Sequence, residues 1–257
     1  EKINFEFDLS KDTDLSDYDM DNLNKLLVRL EKVHENYKQK IQKIFSKEEN
    51  EPFGGFVYDK SISVQRNLLD AADDLAEEIR FQKEFVKENP NHTRADLFKQ
   101  NIKIMKGIVK TLKKYKREVK SKTLKKLIKE YNLFSENNKM GYKQTLIYLI
   151  AHSELFGFNE YEKFEYCVID EGQDFNILEY YLLDKLVQNG RFSILGDLNQ
   201  SYRDSGLTKW EDIFEVVKGA KDNQKFTLKT NYRSTKPIVE LANSIFRPFT
   251  DSYLPES

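Results

Sequence analysis

The stretch EYCVIDEGQDFNILEYYLLDKLVQNGRFSILGD, residues 165–197, decides the fold because two kinds of apolar pattern alternate within it. Short apolar runs at 166–169 and 192–195 predict strands, and the longer run at 177–187 between them predicts a helix. Strand, helix and strand in this order are typical of a βαβ unit on a parallel sheet. The sequence therefore predicts an α/β fold in this part of the chain.

The same alternation continues toward the carboxyl end. Residues 209–217 predict a further helix, and residues 226–228 predict a further strand. Pro237 stands where another helix should begin, with Ser234 or Thr235 as its N-cap.

Carboxylates follow two of the predicted strands. Asp170 and Glu171 come directly after the first strand, and Asp197 comes two residues after the second. Ligands of parallel sheets gather at the carboxyl ends of the strands, and one or two carboxylates there suit Mg²⁺ that also binds substrate phosphates. The structural alternative is that these acids cap the helix that begins near Asn176.

The residues before about 160 have a helical period instead. Apolar side chains recur every three or four residues over 23–44, 68–79 and 98–112, which predicts three long amphipathic helices. Thr93 followed by Asp96 resembles a capping box that opens the third of these helices.

Composition excludes several classes of protein. A chain of 257 residues that is 33% charged and 39% hydrophobic is typical of a globular protein. No apolar run approaches the roughly 20 residues that span a bilayer, so no membrane association is predicted, and the first residues contain no signal-peptide core. The single Cys167 favours a reducing compartment, the cytoplasm, and three scattered histidines give no zinc-ligand spacing.

Charge is distributed unevenly. Residues 99–129 contain 13 Lys or Arg against one acid, Glu118. Such a stretch can follow the phosphates of a nucleic acid. It can equally be the solvated face of a helix, and the residues alone do not decide between the two.

Three segments that follow predicted strands carry a family resemblance: VIDEGQDF at 168–175, ILGDLNQS at 194–201 and LKTNYRST at 228–235. Together and in this order they resemble motifs II, III and IV of the UvrD/Rep group of superfamily 1 helicases. The resemblance covers roughly residues 140–246. ILGDLNQS, NYRST and a late LPES are most similar to the HelD branch, whose members include RNA polymerase recycling factors.

The resemblance implies a domain organisation. Residues 1–138 would form a mostly α-helical, 1B-like insertion domain. Residues 139–224 would form the carboxyl-terminal part of RecA-like domain 1A, a partial parallel sheet with flanking helices. Residues 225–257 would begin RecA-like domain 2A.

The resemblance also implies ATP and Mg²⁺ as cofactors and assigns roles to matching residues. Asp170 and Glu171 would contact Mg²⁺, and Glu171 would be the general base for the attacking water. Gln173 and Gln200 would sense the γ-phosphate and the water, with Asp197 joined to that network. Arg233 would stabilise transition-state charge, and Tyr232 would stack on the adenine. The structural alternative for the last two is a packing tyrosine beside a surface arginine.

A nucleic-acid interface is implied as well, because the insertion domain of the family contacts nucleic acid. The candidates are Tyr202, Lys106, Lys110, Lys113, Lys114 and Arg117. Many relatives have a longer aromatic stretch after motif III that stacks bases. Here Tyr202 comes one position early and Asp204 replaces a bulky residue, which weakens base stacking as a role for Tyr202 or Trp210.

The sequence contains no Gly-Lys pair and therefore no G-x-x-x-x-G-K-[ST] phosphate loop. The resemblance then implies an internal piece of a longer ATP-dependent helicase or translocase, inactive by itself, with DNA as a partner and RNA polymerase as a further candidate. Two alternatives are a non-enzymatic module that binds polymerase or nucleic acid beside a degenerate motor, and the motor subunit of a nuclease or phage-defence helicase.

Overall fold

The computed structural model describes residues 18–47, 53, 56–134, 140–158, 163–201, 206–217 and 222–249. No helix within these residues is both long enough and apolar enough to cross a membrane.

The amino-terminal half is helical, as its sequence period predicts. It contains α1 (Tyr18–Phe45), α2 (Val64–Glu88), α3 (Ala95–Glu118) and α4 (Lys125–Glu130). The side chain of Ser63 accepts the Arg66 N–H at 3.2 Å and thereby caps the start of α2. The three predicted long helices are therefore confirmed.

The predicted capping box at the start of α3 is wrong. The N-cap position is Arg94 instead of Thr93, and no side chain there accepts a cap hydrogen bond. The ring Nδ1 of His92 accepts the Arg94 N–H at 3.1 Å, while Asp96 pairs with Lys99 at 2.8 Å. The Ala95 N–H, one of the amides that a Thr93 cap would serve, instead donates to the His92 carbonyl at 2.9 Å.

A π-helical turn, Val119–Leu124, joins α3 to α4. Val119 and Leu124 are buried, five residues apart, and Lys122 between them is exposed. An uninterrupted α-helix would place position 122 or 123 above Val119. The wider π turn puts Leu124 there instead and keeps the lysine in solvent.

The carboxyl-terminal half contains α5 (Tyr142–Phe156), β1 (Cys167–Ile169), α6 (Ile177–Leu186), β2 (Phe192–Ile194), α7 (Glu211–Val216) and α8 (Lys236–Phe246). Strands β1 and β2 pair in parallel with Cys167 opposite Phe192 and Ile169 opposite Ile194. The predicted βαβ unit and its parallel pairing are confirmed. Both strands therefore end at the same edge.

The predicted strand at 226–228 is wrong. Phe226 and Leu228 are 82% and 88% exposed, and no strand in the described part of the chain pairs with this segment. Helix α8 follows with Thr235 at its N-cap position, as predicted, although no cap hydrogen bond from the Thr235 side chain is present. Large apolar side chains on α8 remain exposed, namely Ile238, Leu241, Ile245 and Phe246.

One hydrophobic core runs through both halves. It extends from Leu23 on α1 to Val216 and Val217 at the end of α7. Helix α5 contacts α1, α2 and α6, and so lies between the long helices and the βαβ unit. Helix α6 of the βαβ unit thus packs against both α1 and α5.

Candidate functional site

Asp170 and Glu171 lie just beyond the end of β1, and both side chains are exposed. Glu171 has a left-handed backbone conformation, with φ 51° and ψ 41°. This conformation costs a non-glycine residue about 1 kcal/mol or more, so neighbouring contacts must hold it. One such contact is the Glu171 N–H, which donates to Oδ1 of Asp170 at 3.0 Å.

Helix α6 has its own cap. Oδ1 of Asn176 accepts the Glu179 N–H at 3.0 Å, and Oε2 of Glu179 accepts the Asn176 N–H at 2.8 Å. This reciprocal capping box serves the helix start without Asp170 or Glu171. The alternative that Asp170 and Glu171 cap α6 is therefore wrong. The N-x-x-E spacing at 176–179 in the sequence already indicates this capping box.

Gln173 lies beneath the edge and is only 1% exposed. Its Nε2 donates to Oε2 of Glu171 at 2.8 Å, and its Oε1 accepts the Asp197 N–H at 3.0 Å. Its backbone carbonyl accepts the Leu207 N–H at 2.9 Å. Gln173 therefore ties the end of β1 to the segments that follow β2.

Two glycines allow this close packing. A Cβ on Gly172 would lie 2.5 Å from Cγ2 of Ile194 and 2.7 Å from the Tyr180 hydroxyl. A Cβ on Gly196 would collide with Oε1 of Gln173 and would lie 2.9 Å from the Trp210 ring. The Trp210 ring thus packs close to Gly196. No sequence pattern indicates these contacts, because they join residues that are distant along the chain.

Asp197 organises the turn after β2. Its Oδ1 accepts the Asn199 N–H at 3.0 Å, and its Oδ2 accepts from Nε2 of Gln200 at 2.9 Å. Gln200 is exposed. Glu171, Gln173, Asp197 and Gln200 are therefore joined by one continuous chain of hydrogen bonds.

Tyr232 and Arg233 lie in the turn before α8 and not at the acidic edge. Oδ1 of Asn231 accepts the N–H groups of Arg233 and Ser234 at 2.9 and 2.8 Å, which shapes the turn before α8. Tyr232 is 93% exposed, so it is not a packing tyrosine. Among the described residues, no hydrogen bond or ion pair connects either side chain to the acidic edge.

The basic candidates line one helix. Lys106, Lys110, Lys113, Lys114 and Arg117 are all exposed on α3, and none forms an ion pair with an acid in the described part of the chain. Nearby acids are used elsewhere, since Glu118 pairs with Lys40 at 2.9 Å. Tyr202 lies outside the described residues.

The donor set at the edge suits a particular kind of ion. The described residues contain no group of three or more His, Cys, Asp or Glu side chains that could enclose a metal. Mg²⁺ does not need such a cage, because it usually takes one or two carboxylates together with water and phosphate oxygens. The described hydrogen bonds use Oδ1 of Asp170 and Oε2 of Glu171, which leaves one oxygen of each to face solvent.

The family comparison adds to this geometry. The model of the UvrD/REP helicase N-terminal domain matches residues 3–203, well over half of the chain. The chain belongs to this family. The match contains the whole hydrogen-bonded edge from Asp170 to Gln200, whereas Tyr232 and Arg233 lie beyond it.

Individual UvrD/REP relatives are similar over parts of the chain. An ATP-dependent helicase/nuclease subunit of Lactobacillus gasseri is 25% identical over 74% of this chain and 16% of its own length. The DNA helicase PcrA of Bacillus subtilis is 36% identical over 33% of this chain and 12% of its own length. The DNA helicase srs2 of Schizosaccharomyces pombe is 35% identical over 32% of this chain and 9% of its own length.

The chain therefore spans less than a fifth of the length of these relatives. No solved structure gives a significant match.

Proposed function

We propose that this chain supplies the metal-binding and water-activating edge of the ATPase site in a superfamily 1 DNA helicase or translocase. The observation that carries the proposal is the exposed Asp170–Glu171 pair. Neither side chain caps a helix in the described part of the chain, and Gln173 holds Glu171 by a hydrogen bond. Exposed acids fixed by a buried network are suited to chemistry, whereas capping acids would be consumed by the backbone.

Asp170 and Glu171 have different roles in this proposal. Asp170 holds Mg²⁺, which when bound supplies charge neutralisation for the phosphates of ATP. Glu171 accepts a proton from the attacking water, as a general base. Its Oε2 is occupied by Gln173, so the proton is taken at Oε1.

The other candidate residues have roles around the proton transfer to Glu171. Gln200 is exposed and contacts the γ-phosphate or the water, while Asp197 orients its amide. Gln173 is buried and positions Glu171 rather than contacting the nucleotide itself. Arg233 and Tyr232 bind the triphosphate and the adenine from the opposite side of an interdomain cleft. The chain alone turns over no ATP, because its sequence has no Gly-Lys pair to form a phosphate loop.

DNA is the proposed nucleic-acid partner, and α3 is the proposed contact surface. Its exposed lysines are not neutralised by acids within the described residues, which leaves their charge available to phosphates. Tyr202 remains a candidate for base contact from its position after Gln200.

A second candidate function is the motor subunit of a helicase-nuclease. It is favoured by a relative that aligns over 74% of this chain and is named as a helicase/nuclease subunit. The HelD-like branch, and with it an RNA polymerase partner, stays a prediction from the ILGDLNQS and NYRST segments.

The test is Glu171→Gln in the full-length protein. We expect ATP binding to be largely intact and turnover to fall on the order of 100-fold or more, because the base is lost while the side chain keeps its shape. Steady-state ATPase assays and binding of a fluorescent ATP analogue measure the two quantities. Glu165→Gln, an exposed acid just before β1, is the matched control and should retain the wild-type rate. Unchanged turnover in Glu171→Gln would remove Glu171 from this role.

A further inference from the structure

The hydroxyl groups of two adjacent tyrosines on α6 donate to different acceptors. The Tyr180 hydroxyl donates to the backbone carbonyl of Gly172 at 2.7 Å, within the turn that carries the acidic edge. The Tyr181 hydroxyl donates to Oε1 of Glu154 on α5 at 2.8 Å. Both tyrosines are buried. One hydroxyl therefore serves the candidate site and the other serves the packing between two helices.

Both backbone polar groups of Gly172 are held by hydrogen bonds. Its N–H donates to the Leu195 carbonyl at 2.8 Å, and its own carbonyl receives the Tyr180 hydroxyl. Tyr180 is anchored in turn, because α6 starts from the Asn176 capping box four residues earlier. The residue after Glu171 thus has a fixed position relative to both β2 and α6.

Glu171 depends on that fixed neighbour. Its left-handed backbone is unfavourable for a residue with a side chain, and in an isolated turn it would relax toward the right-handed region. A relaxation of the Glu171 backbone would turn its N–H away from Asp170 and carry its carboxylate away from the Gln173 amide. Contacts to Gly172 oppose this change.

We propose that Tyr180 is a positioning residue for ATP hydrolysis, which aims the Glu171 carboxylate by fixing the Gly172 carbonyl. The inference rests on the proposed function of Glu171. Tyr180 itself is fully buried, so it acts through Gly172 and Glu171.

The Tyr180 hydroxyl is suited to donate its hydrogen bond to the Gly172 carbonyl at any pH at which it stays protonated. Burial, together with the nearby charge of Glu179, raises the pKa of Tyr180 above its ordinary value. The hydroxyl therefore keeps its proton at neutral pH, and the hydrogen bond to Gly172 is present throughout the working range of an ATPase.

The experiment compares Tyr180→Phe with Tyr181→Phe in the full-length protein. Each variant removes one buried hydroxyl from the same helix and keeps the aromatic ring that packs in the core. We expect Tyr180→Phe to lower kcat about tenfold, the effect of a change of about 1.4 kcal/mol in the barrier, with KM for ATP within twofold of wild type. We expect Tyr181→Phe to leave kcat near wild type, although both variants lower the unfolding midpoint.

A second variant without the hydroxyl, Tyr180→Met, should show the same loss of kcat. Equal kcat in Tyr180→Phe and wild type, or equal losses in the Tyr180 and Tyr181 variants, would overturn the inference. If Glu171→Gln abolishes turnover while Tyr180→Phe does not change it, only the role of Tyr180 fails. If Glu171→Gln also retains wild-type turnover, the proposed function fails first.

Discussion

Gly172 occupies a position of the candidate site that has no room for a side chain. It lies between the two strand ends, where Ile194 and the Tyr180 hydroxyl leave no space for a methyl group. Gly107 is the opposite case, because nothing lies within 4 Å of the Cβ it would gain. The two glycines therefore provide a matched pair.

We expect Gly172→Ala to destabilise the chain by about 1–3 kcal/mol, the range for forcing an extra methyl into a packed interior. Gly107→Ala lies in the middle of α3 and should stabilise the chain by about 0.5–1 kcal/mol, because alanine loses less backbone entropy than glycine. Urea unfolding of both variants checks the difference. Similar stabilities for the two variants would show that the turn around residue 172 adapts easily.

The residue scale also shows what the sequence could predict. That Asp170, Glu171 and Asp197 follow strand ends was predictable, because apolar runs directly precede them. The burial of Gln173 was not, because it depends on Asp197 and Leu207, which only the fold brings close. The catalytic and nucleotide-binding roles remain predictions from the resemblance.

At the scale of elements, the long helices and the βαβ unit were predicted from the sequence, whereas the π turn and the absence of a strand at 226–228 were not. The three long helices follow directly from their apolar spacing, whereas the π turn breaks that spacing by a single residue. Residues 226–228 have a strand-like composition, but a strand also requires a neighbouring backbone to pair with. Local sequence alone does not reveal whether that neighbour is present.

A partly buried ionic group joins three helices. Glu154 on α5 lies 2.6 Å from Nζ of Lys185 on α6 and 3.4 Å from Nε2 of His34 on α1. The Tyr181 hydroxyl adds a hydrogen bond to the same carboxylate. Burial alone would raise the pKa of Glu154, but the contacts with His34 and Lys185 outweigh it and lower the pKa to about 2.

This group gives the fold an acid-sensitive contribution. Because the folded pKa lies below the ordinary 4.5, ionised Glu154 stabilises the fold above about pH 4.5, and the stabilisation is lost as the pH falls toward 2. A shift of this size corresponds to about 3 kcal/mol in total. We expect the free energy of unfolding to fall less steeply between pH 5 and pH 3 in Glu154→Gln than in wild type.

The control for this prediction is Glu211→Gln. The pKa of Glu211 is also lowered, by its hydrogen bond with Lys225, but that pair lies on the surface. Solvent screens it, so its removal should leave the pH profile almost unchanged. Urea unfolding at a series of pH values compares the three proteins, and parallel profiles for Glu154→Gln and wild type would refute the assignment.

At the scale of the whole molecule, positive charge is concentrated while the total is nearly neutral. The formal net charge is −1, yet residues 99–129 contain 13 basic residues and one acid. The structure places five of the candidate side chains in solvent on α3, without acidic partners among the described residues. A solvated helix face and a polyanion site both expose their lysines in this way, so DNA binding is the measurement that separates them.

We expect replacement of Lys106, Lys110, Lys113, Lys114 and Arg117 by Gln to weaken DNA binding. The logarithm of the affinity should also depend less steeply on the logarithm of the salt concentration, by about 0.9 for each duplex phosphate that the protein no longer neutralises. Fluorescence anisotropy of the full-length protein with labelled duplex and single-stranded DNA, at several salt concentrations, measures both effects.

A charge-matched control separates a local site from total charge. It replaces five basic residues on α1 and α2 by Gln, namely Lys32, Lys43, Arg80, Lys83 and Lys87. This variant should bind DNA like wild type at moderate salt. Equal losses of affinity in both variants would indicate that only the overall charge matters.

The exposed apolar face of α8 has a consequence for how the chain behaves in concentrated solution. Apolar surface in water costs roughly 25 cal/mol per Å², and Ile238, Leu241, Ile245 and Phe246 are each about half exposed or more on one short helix. Such a patch is a ready contact for another copy of itself. We therefore expect self-association through this face, and not unfolding of the core, to limit the concentration at which this polypeptide stays in solution.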